Sequence, residues 1–167
     1  METVAAVASI AGIVELTRHG IQLIRLLKKY AKACEMELAE DFVHGLVSAA
    51  QLLEEAHILC IRIQKHANAN ISRIRTATLC LQVEDCISDL ETWHRIVKRL
   101  ESTAEKRITR VGKWARTETT IRRFQHFCKI AFKSTANGTS ADQRQAIQER
   151  FEQHKHNIGI ALSMLGA

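Results

Sequence analysis

The side chains of this chain that could do chemistry fall into three groups. They are eight histidines with five cysteines, a dense set of lysines and arginines, and a run near the N-terminus that carries no charge. Zinc takes four ligands, and Cys34, Cys60, Cys80, Cys86 and Cys128 form no CxxC pair. His57 and Cys60, at i and i+3, supply two ligands at most. On a helix His154 and His156 point about 200° apart and cannot clasp one ligand, so His154 is expected as a satisfied, partly buried residue. Cys60 and Cys86 fall where small apolar groups pack and are expected as core filler. No nucleophile motif and no phosphate-cradling glycine loop is present, which predicts a non-enzyme that uses no metal or cofactor.

The cations are unevenly placed. Twelve Lys or Arg lie between Arg95 and Lys133 against Glu101, Glu105 and Glu118, and a second cluster is Arg25, Lys28, Lys29 and Lys32. With a net charge of +6, they predict an anionic partner, unless they form only a solvated face with cations at a helix C-terminus. Trp114, Phe124 and Phe127 could stack on bases, but no nucleic-acid-binding pattern accompanies them, so nucleic acid is not the expected partner. The odd number of cysteines at irregular spacing predicts reduced thiols in the cytosol.

The uncharged run is Thr3 to Val14. With Glu2 and no Lys or Arg before Arg18 it does not read as a secretory leader. Twelve helical residues reach about 18 Å, short of a ~30 Å hydrocarbon layer, so it does not read as a constitutive span. It is expected as a core helix, or as an element hidden in one state and exposed in another. Ala5, Ala8, Ser9, Gly12 and Gly20 recur at spacings that let helices approach closely in lipid, with Ile13 beside them, although small residues pack in ordinary bundles too. An uncharged helix followed by cations suits insertion beside anionic headgroups.

The elements that must position these groups are helices. There is no proline and no useful period-2 pattern, and 167 residues at 46% hydrophobic predict one domain over 1–167. Ile10, Val14, Thr17, Ile21, Ile24 and Leu27 predict a helix over about 3–33. Phe42, Leu46, Ala49, Leu53, Ala56, Cys60 and Ile63 form one seam in steps of four and three. Leu79, Val83, Cys86, Leu90, Trp93, Val97 and Leu100 form another, so three rods packed side by side and antiparallel are expected. Asn68-Ala69-Asn70 separates the seams as a turn. After a basic stretch around Gly112, Ile121, Phe124, Cys128 and Ala131 predict a fourth helix, entered through a kink or as a separate element. A loop over Ser134–Ser140 follows, then a fifth helix opened by a Ser140/Gln143 capping box and lined by Ile147, Phe151, His154, Ile158, Ala161 and Leu165. The fold class is an all-α, antiparallel bundle of four to five long helices.

The opening METVAAVASIAGIVELTRHGIQLI, the heptad helices, the basic KRITRVGKWARTETTIRRF and the closing IQERFEQHKHNIGIALSMLGA resemble the fungal N-terminal domain of STAND (signal-transducing nucleoside triphosphatase, NLR-like) proteins, in the HeLo-like class. The resemblance implies a bundle similar to the four-helix domain of mixed lineage kinase-like necroptosis effectors, serving programmed cell death, heterokaryon incompatibility and innate immunity. It implies self-association on activation, coupling to a STAND receptor module, and movement from the cytoplasm to an anionic plasma membrane through a detachable first helix. The residues expected in insertion or oligomerisation are Ala5, Ala8, Ser9, Gly12, Ile13 and Gly20. Those expected against lipid are Arg25, Lys28, Lys29, Lys32, Lys106, Arg107, Arg110, Lys113 and Arg116. Leu16 departs from a full glycine-zipper register, which would place a small residue there. The alternative is a non-lytic adaptor bundle that docks a partner helix.

Overall fold

The computed structural model describes the backbone of residues 2–34, 37–66, 73–108, 114–132 and 140–166, with side chains over 10–34, 37–66, 73–103, 121–132 and 141–166. These residues form five helices: α1 (Glu2–Lys32), α2 (Glu37–Lys65), α3 (Arg73–Ile108), α4 (Trp114–Ala131) and α5 (Ser140–Gly166). The described residues contain no strand. The basic stretch after Leu100 divides between the end of α3 and the start of α4. The expected turn at Asn68-Ala69-Asn70, the surroundings of Gly112 and the loop 134–139 lie outside the described residues, as does the Ser140 side chain of the expected capping box.

Helix termini follow the backbone dipole in α1 and α2. Glu37 and Glu40 stand in the first turn of α2 and Arg62 and Lys65 in its last, and Lys29 and Lys32 close α1. α3 departs from this pattern, with no acidic residue in its first turn.

α1 packs against α2 and α3, and α5 packs against the same two from the other side, so α2 and α3 stand diagonally with α1 and α5 between them. The three rods expected side by side thus stand in the order α2, α1, α3. The stripe of α1 is wide enough to face two partners, because Ile13, Leu23 and Ala31 extend the set read from spacing. The chain runs up, down and up through α1, α2 and α3, and down again through α5. Gly20 of α1 meets Leu53 of α2 and Ile87 of α3. Gly45 of α2 meets Phe151 of α5, and Arg150 of α5 reaches Asp89 of α3. Chain-consecutive rods are antiparallel, while the lateral pairs α1/α3 and α2/α5 are parallel. α4 closes the upper end against α3, its Phe124 and Phe127 rings lying 6.1 and 6.0 Å from Tyr30 at the top of α1.

Both seams face the core. Phe42, Leu46, Leu53, Leu79, Val83, Leu90, Trp93, Val97, Phe151 and Ile158 are buried, and Ile63 and Leu100, at the ends of their seams, are half-buried against the same cluster. Phe127, absent from the periodic reading of α4, is also buried.

Candidate functional site

The groups with functional potential gather on α1 and at the two ends of the bundle. α1 has 31 residues and is therefore about 46 Å long. Ile10, Ile13, Val14, Leu23, Ile24, Leu27 and Ala31 bury its inner stripe, and Leu16 is half-buried against the core.

Three contacts pin the middle of this helix. Thr17, fully buried, donates from Oγ1 to the Val14 carbonyl at 2.9 Å and lies 2.9 Å from His57 Nδ1 on α2. With the hydroxyl proton on Val14, the imidazole is the donor to Thr17. His19 Nε2 lies 2.9 Å from Glu91 Oε1 on α3, in an exposed pair. At Gly20 a Cβ would stand 2.8 Å from Leu53 Cδ1 and 3.2 Å from Ile87 Cγ1, so glycine permits close approach to both neighbours. Before Thr17, the described side chains of α1 that pack on the core are Ile10, Ile13 and Val14, with Leu16 half-buried beside them, and Glu15 pairs with Arg18 within the helix.

Of the residues expected in insertion, Gly20 and Ile13 are thus buried in the bundle. Gly12 is exposed, with open space where a Cβ would be. The side chains of Ala5, Ala8 and Ser9 lie outside the described residues. Of the expected lipid contacts, Arg25, Lys29 and Lys32 are exposed and Lys28 half-buried. Lys106 and Arg107 fall at the end of α3 and Arg116 at the start of α4, with side chains outside the described residues, and Arg110 and Lys113 lie wholly outside them. The fold brings the two basic clusters together, because the top of α1 meets α4 through Tyr30. Arg25, Lys29 and Lys32 share the upper end with Arg95, Lys98, Arg99 and Lys129, all exposed.

Sequence reasoning missed a second cationic group at the lower end: Arg62 and Lys65 in the last turn of α2, and Arg73 and Arg75 at the start of α3, all exposed. Chain order held the signal. If α1 and α2 are antiparallel, the α2–α3 junction must return to the end where α1 begins.

α5 is tied on by polar contacts that periodicity does not reveal. Asp89 accepts from Arg150 Nε at 2.5 Å and lies 2.6 Å from His154 Nε2, and His154 is 2% exposed. Burial pushes the Asp89 carboxyl up, but the hydrogen bonds from His154 and Arg150 outweigh it and hold the group below the usual carboxylate range. Arg144 bonds Asp41 and Glu37 on α2. Burial, followed by nearby carboxylates, pushes the Cys86 thiol up to about 12, and burial with Cys34 pushes Cys128 to about 12. These two thiols therefore stay protonated at neutral pH. No group of three or more His, Cys, Asp or Glu able to hold a metal occurs among the described residues. No helix, over the described residues, is long and apolar enough to cross a membrane.

No protein-family model matches the chain, and neither a curated protein nor a solved structure is similar to it.

Proposed function

We propose that this domain binds anionic membranes as a cell-death effector of the HeLo-like kind, and that the part of α1 before Thr17 leaves the bundle when copies are brought together. The observation that carries the reading is the division of α1. Its middle is pinned by Thr17–His57, His19–Glu91 and the Gly20 approach, whereas the described side chains of its start hold through Ile10, Ile13, Val14 and half-buried Leu16.

Magnitudes favour a partial release. Burying a Val, Leu or Ile side chain is worth about 1.5–3 kcal/mol, so exposing Ile10, Ile13, Val14 and half-buried Leu16 to water costs roughly 5–10 kcal/mol. Releasing Leu23, Ile24 and Leu27 as well brings the cost to roughly 10–20 kcal/mol, at or above the whole stability of a domain this size. The short release is affordable if an acyl layer receives the side chains, since lipid tails are as apolar as the core they leave. Each exposed cation near an anionic surface contributes about 1 kcal/mol, so the upper cluster supplies long-range attraction.

Flotation and dye leakage with phosphatidylserine vesicles test this, on the domain fused to an inducible oligomeriser. The intact chain should float and release dye, and the form lacking residues 1–14 should float without releasing it. Equal leakage from both forms would remove α1 as the agent.

The adaptor reading draws support from a groove of about 740 Å³ at the α1–α2 corner. Ala31, Ala39, Val43 and Val47 line it beside charges of both signs, Lys32, Glu37 and Glu40, a surface suited to a partner helix. Failure of the oligomerised domain to float at low salt would favour it.

A further inference from the structure

The two ends differ in what they leave uncovered. Of the large aliphatic side chains exposed among the described residues, Leu26 and Ile130 lie in the upper half, and Ile58, Ile74, Leu81, Ile160 and Met164 in the lower. Ile74, at the foot of α3, is 75% exposed. Arg75, the next residue in the chain, shares an open groove of about 770 Å³ with Gly159, Ile160, Ser163 and Met164 of α5, so this cation stands beside the exposed aliphatic side chains of α5. The carboxylate in that groove is Glu152, 3.5 Å from Lys155. Among the described residues no carboxylate pairs with Arg62, Lys65, Arg73 or Arg75. Arg73 and Arg75 also stand in the first turn of their helix, where the backbone dipole disfavours cations. Helix stability therefore does not account for them.

Exposed aliphatics interleaved with long cationic side chains match the boundary between acyl chains and anionic headgroups. There the apolar groups enter, and Arg and Lys reach back to phosphate. We propose that the lower end of the bundle is the surface that enters an anionic bilayer, with Ile74, Ile160 and Met164 at the acyl boundary and Arg62, Lys65, Arg73 and Arg75 on the headgroup phosphates. The inference rests on the membrane reading above and adds the orientation. Residues 3–14 of α1 lie at this same end, about 30 Å along the helix from the Arg25–Lys32 cluster. A bundle standing on its lower end delivers them to lipid directly, while one standing on its upper end holds them away from it.

The test is flotation of the full chain with phosphatidylserine/phosphatidylcholine vesicles, comparing three variant sets whose helicity and melting match the parent. Ile74→Ser with Ile160→Ser and Met164→Ser should lower partitioning by about tenfold or more, since the altered residues are exposed and the fold does not depend on them. Arg73→Gln with Arg75→Gln should lower it several-fold and flatten its salt dependence. Lys29→Gln with Lys98→Gln and Lys129→Gln, at the upper end, should have the smaller effect. Loss confined to the upper-end set, or equal loss in both charge sets with none in the serine set, would overturn the orientation and leave the membrane reading standing. A serine set that floats like the parent but no longer self-associates in sedimentation would make the face a contact between copies, which also overturns it. If the parent does not float at all, the membrane reading fails and the orientation falls with it.

Discussion

The upper and lower ends of the bundle are built from different materials. At the top every aromatic ring except that of Trp114, whose side chain lies outside the described residues, belongs to one cluster around Phe42. The Phe42 centroid lies 5.7 Å from that of Trp93, 5.9 Å from Phe124, 5.3 Å from Phe127, 6.0 Å from Phe132 and 5.8 Å from Phe151. Edge-on ring packing is directional, so each ring fixes the tilt of the next and the top of the bundle has one arrangement. At the bottom the core is Ile10, Ile13, Leu53, Ala56, Cys60, Leu79, Val83, Ile158 and Ala161. Those side chains are held by burial without directional partners, and hydrocarbon of any origin can replace their neighbours. The proposed release of one segment from a bundle that keeps its shape rests on this asymmetry.

Phe42→Ala should be the most damaging single change, costing about 3–5 kcal/mol in urea unfolding because five rings lose a neighbour at once. Ile13→Ala should cost about 2–5 kcal/mol, but hydrogen exchange should place its effect mainly at the start of α1. If Ile13→Ala raised exchange as uniformly as Phe42→Ala, the two ends would be one cooperative unit and the contrast would fail.

Asp89 separates the ends by pH. Its carboxyl is held below the usual range in the folded state, so its contribution to stability is complete above the unfolded value of about 4 and disappears as pH falls through the lower folded value. Asp89→Asn should therefore cost about 1.5–3 kcal/mol at pH 7, leaving buried His154 and Arg150 short of a charged acceptor, and should cost less at pH 3. An equal loss at both pH values would mean that the carboxylate contributes shape alone.

The rods and most of the core were legible, because a wrong register would place charge in the seam of α2 or α3 and the sequence has none there. Lateral order was not legible. α1 packs between α2 and α3 because Ile13, Leu23 and Ala31 widen its buried stripe and Gly20 lets both neighbours approach, and a glycine carries no hydrophobic signal. Three links of the fold escaped for a related reason: His19–Glu91, Arg150–Asp89 and Arg144–Asp41 join residues far apart in the chain, and periodicity reports only neighbours on one helix. The upper basic group was visible as density in the sequence. The lower one, split between the end of α2 and the start of α3, becomes a group only once the rods are antiparallel.

Two glycines put the contrast on the backbone. A Cβ at Gly45 would overlap one edge of the Phe151 ring, so Gly45→Ala should cost about 1–3 kcal/mol from overpacking at the rigid end. Gly12 has open space, so Gly12→Ala should instead add up to about 1 kcal/mol through helix propensity. Opposite signs in thermal melts are the expected result. Destabilisation at both would mean that the lower end is packed as tightly as the upper.

The smallest expected loss of stability, and the one closest to the proposed release step, is that of Thr17→Val. Valine keeps the volume and the β-branch of threonine, so Leu53 and Ile87 stay packed around Gly20, while the hydroxyl between Val14 O and His57 Nδ1 is lost. His57 is half-buried, and the loss of one hydrogen bond to it sets the cost at about 0.5–1.5 kcal/mol. The loss should appear as faster hydrogen exchange over residues 10–20, with the aromatic end unchanged, and as a lower threshold for vesicle leakage, because under the proposed function the pin bounds the segment that is released. Faster exchange without easier leakage would show that opening of this segment does not limit entry into lipid.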